Sequence, residues 1–314
     1  MSTLHPVYYR TVQVEGLDIF YREAGPADAP VVLLLHGFPT SSFMYRHLLA
    51  GLADRYRVVA PDYPGFGHSS FPAPADFAYT FDRLSDVLEG FVDALGLTRF
   101  SLYVQDYGAP VGLRLVTRRP ALLQCLIVQN ANAYPVGIGP IFDPIIAIWT
   151  DRSPAKKQKV MELFELPVTR FQYEDGTSDP TRISPDTYTL DQVLLDRPGN
   201  KEAQFQLQYD YRNNPPQYPA WHQMFRQVQP PTLVVWGEND QFFTKEGALA
   251  YAQDLPIIEY HFYPGGHFVL EEFHEDITVA STIFWPATCP SHDAGTLAAT
   301  AVAGRRRHGH PGRY

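Results

Sequence analysis

Val104-Gln105-Asp106-Tyr107-Gly108-Ala109 organises the reading of this chain. The apolar run over 100–104 reads as a strand, it leads into a carboxylate at Asp106, and a small residue follows two positions on. A strand-turn-helix elbow of this kind holds its central residue in a strained turn, packs tightly through the small neighbour, and projects the central side chain above the sheet. The helix starting at Tyr107 offers unpaired backbone N–H groups and the positive end of its dipole. That environment suits an anionic nucleophile and the oxyanion charge that develops on attack.

Outward from the elbow, short apolar strands alternate with helical stretches, the α/β pattern of a mostly parallel sheet covered by helices on both faces. Residues 31–35, closed by His36-Gly37, and 58–60, closed by Pro61-Asp62, read as strands buried on both faces. Residues 12–14 and 17–21 read as an opening antiparallel pair, 43–52 and 81–95 as helices, and 123–128, 232–236 and 257–263 as later strands. From about 131 to 218 Pro, Tyr, Phe, Gln and Asn increase, and Asp175-Gly176, Ser178-Asp179-Pro180 and Arg197-Pro198-Gly199-Asn200 mark loops between helical segments. The expected organisation is a core of 1–130 and 219–286, a helical module of 131–218 inserted into it, and a disordered tail over 287–314.

The 314 residues are 45% hydrophobic and 19% charged, a globular composition with apolar mass for a large core. The 25 basic and 34 acidic residues leave a net charge of -9, which favours neither nucleic acid nor an anionic membrane surface. No window reaches the roughly 18 to 20 unbroken apolar residues of a membrane span, and residues 1–10 show no basic-then-apolar leader, so a cytoplasmic protein is expected. Cys125 and Cys289 are too few for a disulfide scaffold or a thiolate metal site and read as unrelated free thiols.

Further segments converge on the elbow. Leu35-His36-Gly37-Phe38-Pro39 follows a buried strand, and a glycine turn there aims the Phe38 N–H at the same place as the Tyr107 N–H, a two-donor oxyanion hole. Val234-Val235-Trp236-Gly237-Glu238-Asn239-Asp240 ends a strand in two carboxylates, and Pro264-Gly265-Gly266-His267-Phe268 follows the last strand. Nucleophile, acid and His in that order is the chain order of the α/β-hydrolase triad, whose elbow normally carries Ser; here Asp106 stands in its position. The chain resembles the α/β-hydrolases of the epoxide hydrolase and haloalkane dehalogenase group over about 12–285. Asp62-Tyr63-Pro64-Gly65-Phe66-Gly67-His68-Ser69 resembles the group's Asp-x-x-Gly-x-Gly-x-Ser loop, read here as structural support. The resemblance implies the α/β-hydrolase fold with an inserted helical cap.

Asp in place of Ser changes the reaction class. A carboxylate needs no deprotonation at neutral pH, which frees the His to activate water. The resemblance implies that Asp106 attacks an electrophilic sp3 carbon and leaves an alkyl-enzyme ester. His267, oriented by Asp240 or by the alternative acid Glu238, then activates the water that hydrolyses it, while the Phe38 and Tyr107 N–H groups hold the oxyanion. A departing halide needs weak N–H donors, whereas an epoxide oxygen benefits from an O–H that transfers its proton. Many haloalkane dehalogenases carry Trp after the nucleophile and Asn or Glu where this chain has Phe38; Tyr107 and His-Gly-Phe-Pro point instead to epoxide chemistry. Tyr209-Asp210-Tyr211-Arg212-Asn213 resembles the cap segment that supplies a proton-donating tyrosine in epoxide hydrolases, which makes Tyr211 the candidate acid. The earlier cap segment, Ile146-Ala147-Ile148-Trp149, has no second tyrosine; Trp149 is a candidate N–H donor, with Tyr134, Tyr173 and Tyr188 as possible substitutes.

The reading is an epoxide-opening hydrolase. Haloalkane or haloacid displacement is the alternative, and a non-catalytic small-molecule-binding member of the fold is the rival of another class. The expected partners are water and a small apolar epoxide or haloalkane, held in a pocket lined by residues such as Phe38, His36, Trp149 and Phe268. No metal or organic cofactor is implied, because side chains and water serve every step.

Overall fold

The structure, a computed structural model, describes residues 5–288. Its eight strands are β1 (Val7–Val14), β2 (Leu17–Ala24), β3 (Val31–Leu35), β4 (Arg57–Pro61), β5 (Phe100–Gln105), β6 (Leu123–Gln129), β7 (Thr232–Gly237) and β8 (Ile258–Tyr263). They form one sheet in the order β1-β2-β4-β3-β5-β6-β7-β8. The β1–β2 and β2–β4 pairs are antiparallel, and every neighbouring pair from β4 to β8 is parallel.

The continuous apolar runs have a simple cause: successive side chains point to opposite faces, and both faces are covered. Leu33, Leu35, Leu102, Val104, Leu126, Val128, Val234 and Trp236 pack on one side, and Val32, Leu34, Tyr103, Ile127, Leu233 and Val235 on the other. The helix expected over 43–52 divides into a 3-10 turn and α1 (Arg46–Leu52), whose Leu48, Leu49 and Leu52 join the second side. On the first side lie α2 (Phe81–Ala94), capped by the Thr80 side chain at Arg83 N–H (3.1 Å), and α3 (Gly108–Arg118).

Between β6 and β7 the chain leaves the sheet and forms α4 (Asp143–Ile148), α5 (Pro154–Glu162), α6 (Leu166–Glu174), α7 (Pro185–Leu195), α8 (Asn200–Asp210) and α9 (Tyr218–Val228). Prolines occupy the first turns of α4, α5, α6, α7 and α9, where an N–H would have no helical partner. After β7 and β8 come α10 (Lys245–Ala250) and α11 (Val269–Thr288). Long-range bonds tie the inserted helices down. Phe81 N–H donates to Asp210 (2.8 Å), the Arg114 guanidinium to Asn214 (2.8 Å), Ser178 N–H to Glu272 (3.1 Å) and Arg197 to the Gly65 and Gly67 carbonyls (both 3.2 Å).

The Asp62 loop is held by backbone N–H groups: Ser42 N–H, from the turn after β3, and His68 N–H, from the loop itself, donate to the Asp62 carboxylate, each at 2.8 Å. Cys125, buried in β6, is disulfide-bonded, which corrects its reading as a free thiol; a low cysteine count excludes a scaffold but not a single bridge. Cys289 and the rest of the expected tail from 289 onward lie outside the described residues. Among the described residues no helix is long and apolar enough to cross a membrane.

Candidate active site

β5 ends at Gln105 and α3 begins at Gly108, so Asp106 and Tyr107 make the whole connection. Asp106 takes the left-handed backbone region at φ +47, a strained conformation for a residue with a β-carbon, and is 7% exposed. Its neighbours must be small: a Cβ at Gly108 would stand 2.2 Å from the Leu35 carbonyl oxygen, and one at Gly37 would stand 2.3 Å from Asp106 Cβ. Phe38 N–H and Tyr107 N–H both donate to Asp106 Oδ1, at 2.8 and 2.6 Å. The other oxygen, Oδ2, lies 3.9 Å from His267 Nε2.

His267 follows β8 in the turn before α11, and its Nδ1 lies 2.9 Å from Asp240 Oδ2. Asp240 Oδ1 accepts Phe242 N–H (2.7 Å), and Oδ2 also accepts the Asn130 side-chain amide (2.8 Å). Glu238 is not part of this cluster; it pairs with Lys245 near the surface. Burial pushes the Asp106 carboxyl up to about 6, against His267 and the two N–H donors, which favour its ionised form. Burial works against the His267 cation, but the adjacent Asp240, with Asp106 beyond it, holds the imidazole pKa above its ordinary value.

Two site residues escape the sequence reading. Asn130, at the end of β6, has φ +39; its Oδ1 accepts Gly237 N–H (3.0 Å) and its carbonyl accepts Asp106 N–H (3.3 Å), so one side chain braces both β7 and the acid. Its signal was an Asn immediately after an apolar strand, a residue type that tolerates left-handed backbone. Gln105 places its amide nitrogen 3.0 Å from His267 Nε2, next to the lone pair left when Nδ1 donates to Asp240. As a polar residue inside an apolar strand, it was visible without a role.

A narrow cavity lies over Asp106. Phe38, Tyr107 and Phe242 line it with Phe142, Ile145, Gln172 and Gln208 of the inserted segment. Tyr211 is not among the residues lining the cavity; in the 3-10 turn Tyr211–Asn213 its ring packs on two that are, 6.3 Å from Tyr107 and 5.3 Å from Phe142, and stacks on Trp149 at 6.4 Å. Burial drives its phenol pKa well up, so the hydroxyl keeps its proton.

Trp149, His36 and Phe268 do not line the cavity, which corrects their reading as pocket residues. Trp149 faces an outer groove with Pro215 and Tyr218. His36 is fully buried, with Nδ1 2.9 Å from the Gly37 carbonyl oxygen and Nε2 accepting Tyr63 N–H (3.3 Å), so it shapes the turn. Phe268 stacks on Tyr173 at 3.9 Å and meets His267 edge-on at 5.1 Å, supporting the imidazole from behind. A residue adjacent to a motif in sequence turns away from it when the backbone bends there. Of the substitute tyrosines, Tyr134 donates to Asp254 (2.9 Å), Tyr173 to Asp191 (2.5 Å), and Tyr188 packs near Tyr173. Among the described residues no group of three or more His, Cys, Asp or Glu side chains is placed to hold a metal ion.

The family described as alpha/beta hydrolase fold matches residues 30–273. The chain is 37% identical to Uncharacterized hydrolase YNR064C of Saccharomyces cerevisiae over 275 residues, 86% of this chain and 94% of that protein. It is 41% identical to haloalkane dehalogenase 2 of Mycobacterium bovis over 132 residues, 42% of this chain and 45% of that one. Among solved structures, epoxide hydrolase CorEH superposes with a TM-score of 0.73 at 19% identity, covering 90% of this chain and 99% of that chain, a likeness of fold.

Proposed function

This chain is a hydrolase belonging to the α/β-hydrolase fold family, and from that premise we propose that it opens epoxides to diols through an aspartyl alkyl-ester intermediate. The observation that carries the reading is the division of labour between the two oxygens of Asp106. Oδ1 already occupies a pair of N–H donors, whereas Oδ2 points toward the imidazole and has no hydrogen-bond donor among the described residues.

Oδ2 attacks one ring carbon, the C–O bond to the ring oxygen breaks, and the alkoxide takes a proton from Tyr211, which packs on the lining rings of Tyr107 and Phe142 and reaches the substrate between them, its phenolate regaining a proton from water. The resulting ester keeps its carbonyl oxygen, Oδ1, between Phe38 N–H and Tyr107 N–H. His267 Nε2 then takes a proton from water as that water attacks Cγ, and the oxyanion forms on Oδ1 where its donors already stand. Collapse of the tetrahedral intermediate breaks the Cγ–Oδ2 bond, the imidazolium protonates the leaving alkoxide to give the diol, and the carboxyl, now carrying one oxygen from water, loses its remaining proton to solvent. Asp240 orients the imidazole throughout, and Gln105 yields its place beside Nε2 to the water. In this reading the core, 1–130 and 219–286, carries nucleophile, base and oxyanion hole, and the cap, 131–218, carries the acid.

A second reading, displacement of halide by the same nucleophile, is supported by the stretch 41% identical to haloalkane dehalogenase 2. It needs no proton from Tyr211. The two separate in a His267→Gln variant, in which ester hydrolysis is blocked, exposed in turn to a small epoxide and a matching bromoalkane. Intact-mass and peptide mapping are expected to find a hydroxyalkyl ester on Asp106 from the epoxide. An alkyl ester from the bromide alone moves the assignment to dehalogenation, and no adduct from either sinks covalent catalysis and leaves a binding protein.

A further inference from the structure

Gln172 of α6 and Gln208 of α8 are 4% and 5% exposed and both line the cavity over Asp106. Neither amide has a hydrogen-bond partner among the described residues, and Gln208 Oε1 is fully enclosed without one. Gln192 on α7 is bonded instead: its side chain accepts from Thr169 (2.7 Å) and donates to the Phe164 carbonyl (3.1 Å). A buried amide left unbonded costs about 1–3 kcal/mol, and a leucine would close the same apolar wall without that cost. The unbonded pair is therefore shaped for something that enters the cavity.

The chemistry of that group follows from its surroundings. No Lys or Arg lines the cavity and Asp106 is acidic, so a carboxylate meets repulsion with no counter-charge. Two carboxamides present donors and acceptors together and match a neutral group that does the same. We propose that Gln172 and Gln208 form a subsite for an uncharged group that both donates and accepts hydrogen bonds, a carboxamide above all, carried by the substrate close to its reactive carbon. This rests on the reading of Asp106 as a nucleophile toward small electrophiles, and it replaces the wholly apolar substrate with a polar-tailed one.

The test separates the subsite from the chemistry by using unreactive ring isosteres. Ligand-observed NMR titration of the full chain compares cyclopropanecarboxamide, cyclopropanecarboxylate and ethylcyclopropane. The carboxamide is expected to bind about tenfold more tightly than either of the others. Gln172→Leu and Gln208→Leu should each shrink that preference about threefold or more. Equal affinities, a preference for the carboxylate, or a preference untouched in both variants overturns the subsite; if a variant does not fold, the order of affinities in the unmodified chain decides. Glycidamide is then offered to the His267→Gln variant: absence of an Asp106 adduct alongside the expected binding order overturns the nucleophile reading and leaves the subsite standing.

Discussion

Asp240 after β7 and Gln208 on α8 are equally buried, at 5% exposure, yet Asp240 is held by Phe242 N–H, the Asn130 amide and His267, while no hydrogen bond among the described residues holds Gln208. The contrast extends to the regions around them. On the sheet side the groups proposed to react are supported by backbone: Asp106 Oδ1 has two N–H donors, and the strained turns at Asp106 and Asn130 are tied to each other by the 3.3 Å bond from Asp106 N–H to the Asn130 carbonyl. On the helical side the cavity wall is packed through apolar contacts, and its amides are open. Parallel strands in fixed register position the turns that follow them, and the proposed chemistry is placed in those turns. Helices that rest on side-chain packing are freer to vary what they present, and the proposed subsite lies there.

The strongest challenge to this division is Asp106→Ala, which should reduce turnover of every substrate about 10^4-fold or more while circular dichroism stays unchanged. A substrate that is still converted would show chemistry independent of the sheet side. Asp106→Asn sharpens the division thermodynamically. The folded-state pKa of about 6 exceeds the ordinary 3.8, so between those values the folded chain binds the proton more tightly than the unfolded one. The stability this contributes is full below about pH 4 and is lost as pH rises through 6. The neutral amide should therefore be more stable at pH 7 by roughly 3 kcal/mol and lose that pH dependence, as urea denaturation at pH 4 to 7 would reveal. Ester formation in the unmodified chain should fall about tenfold per unit below pH 6, since only the carboxylate attacks.

Smaller effects test the helical side and its brace. Tyr211→Phe should slow epoxide opening about 10- to 100-fold and bromide displacement much less, measured as single-turnover ester formation. Equal losses would make the helical side part of the common chemistry and break the comparison. Asn130→Ala should slow ester hydrolysis about tenfold with little change in ester formation, because it loosens Asp240 and through it His267. A rapid-quench measurement of the two steps separates them, and equal slowing would instead place Asn130 at the elbow through its carbonyl bond to Asp106.

Much of this architecture was legible. The buried strands announce themselves as short apolar runs ended by Gly, Pro and Asp, and the segments carrying Asp106, Asp240 and His267, which meet beside the cavity, each follow one of those runs. Asp106, Asp240 and His267 could be singled out because each stands in a turn whose chemistry is local. The choice between Asp240 and Glu238 was not local: it depends on which carboxylate the backbone after Gly237 turns inward. The inserted helices were the least legible part. Their glutamines look alike in the chain, and only packing separates Gln192, which bonds within the insertion, from Gln172 and Gln208, which face the cavity.

By itself the sequence determined the strand order along the chain, the parallel α/β arrangement and the turns at which polar residues interrupt apolar runs, because those features arise from interactions between residues a few positions apart. The tertiary structure alone decided that Asn130 braces Asp240 across 110 positions, that Gln105 meets His267 across 162, that Trp149, His36 and Phe268 turn away from the cavity, and that two amides open into it. Those are contacts between segments far apart in the chain, and their partners are chosen by the packing of the whole sheet and its helices, which no local pattern encodes.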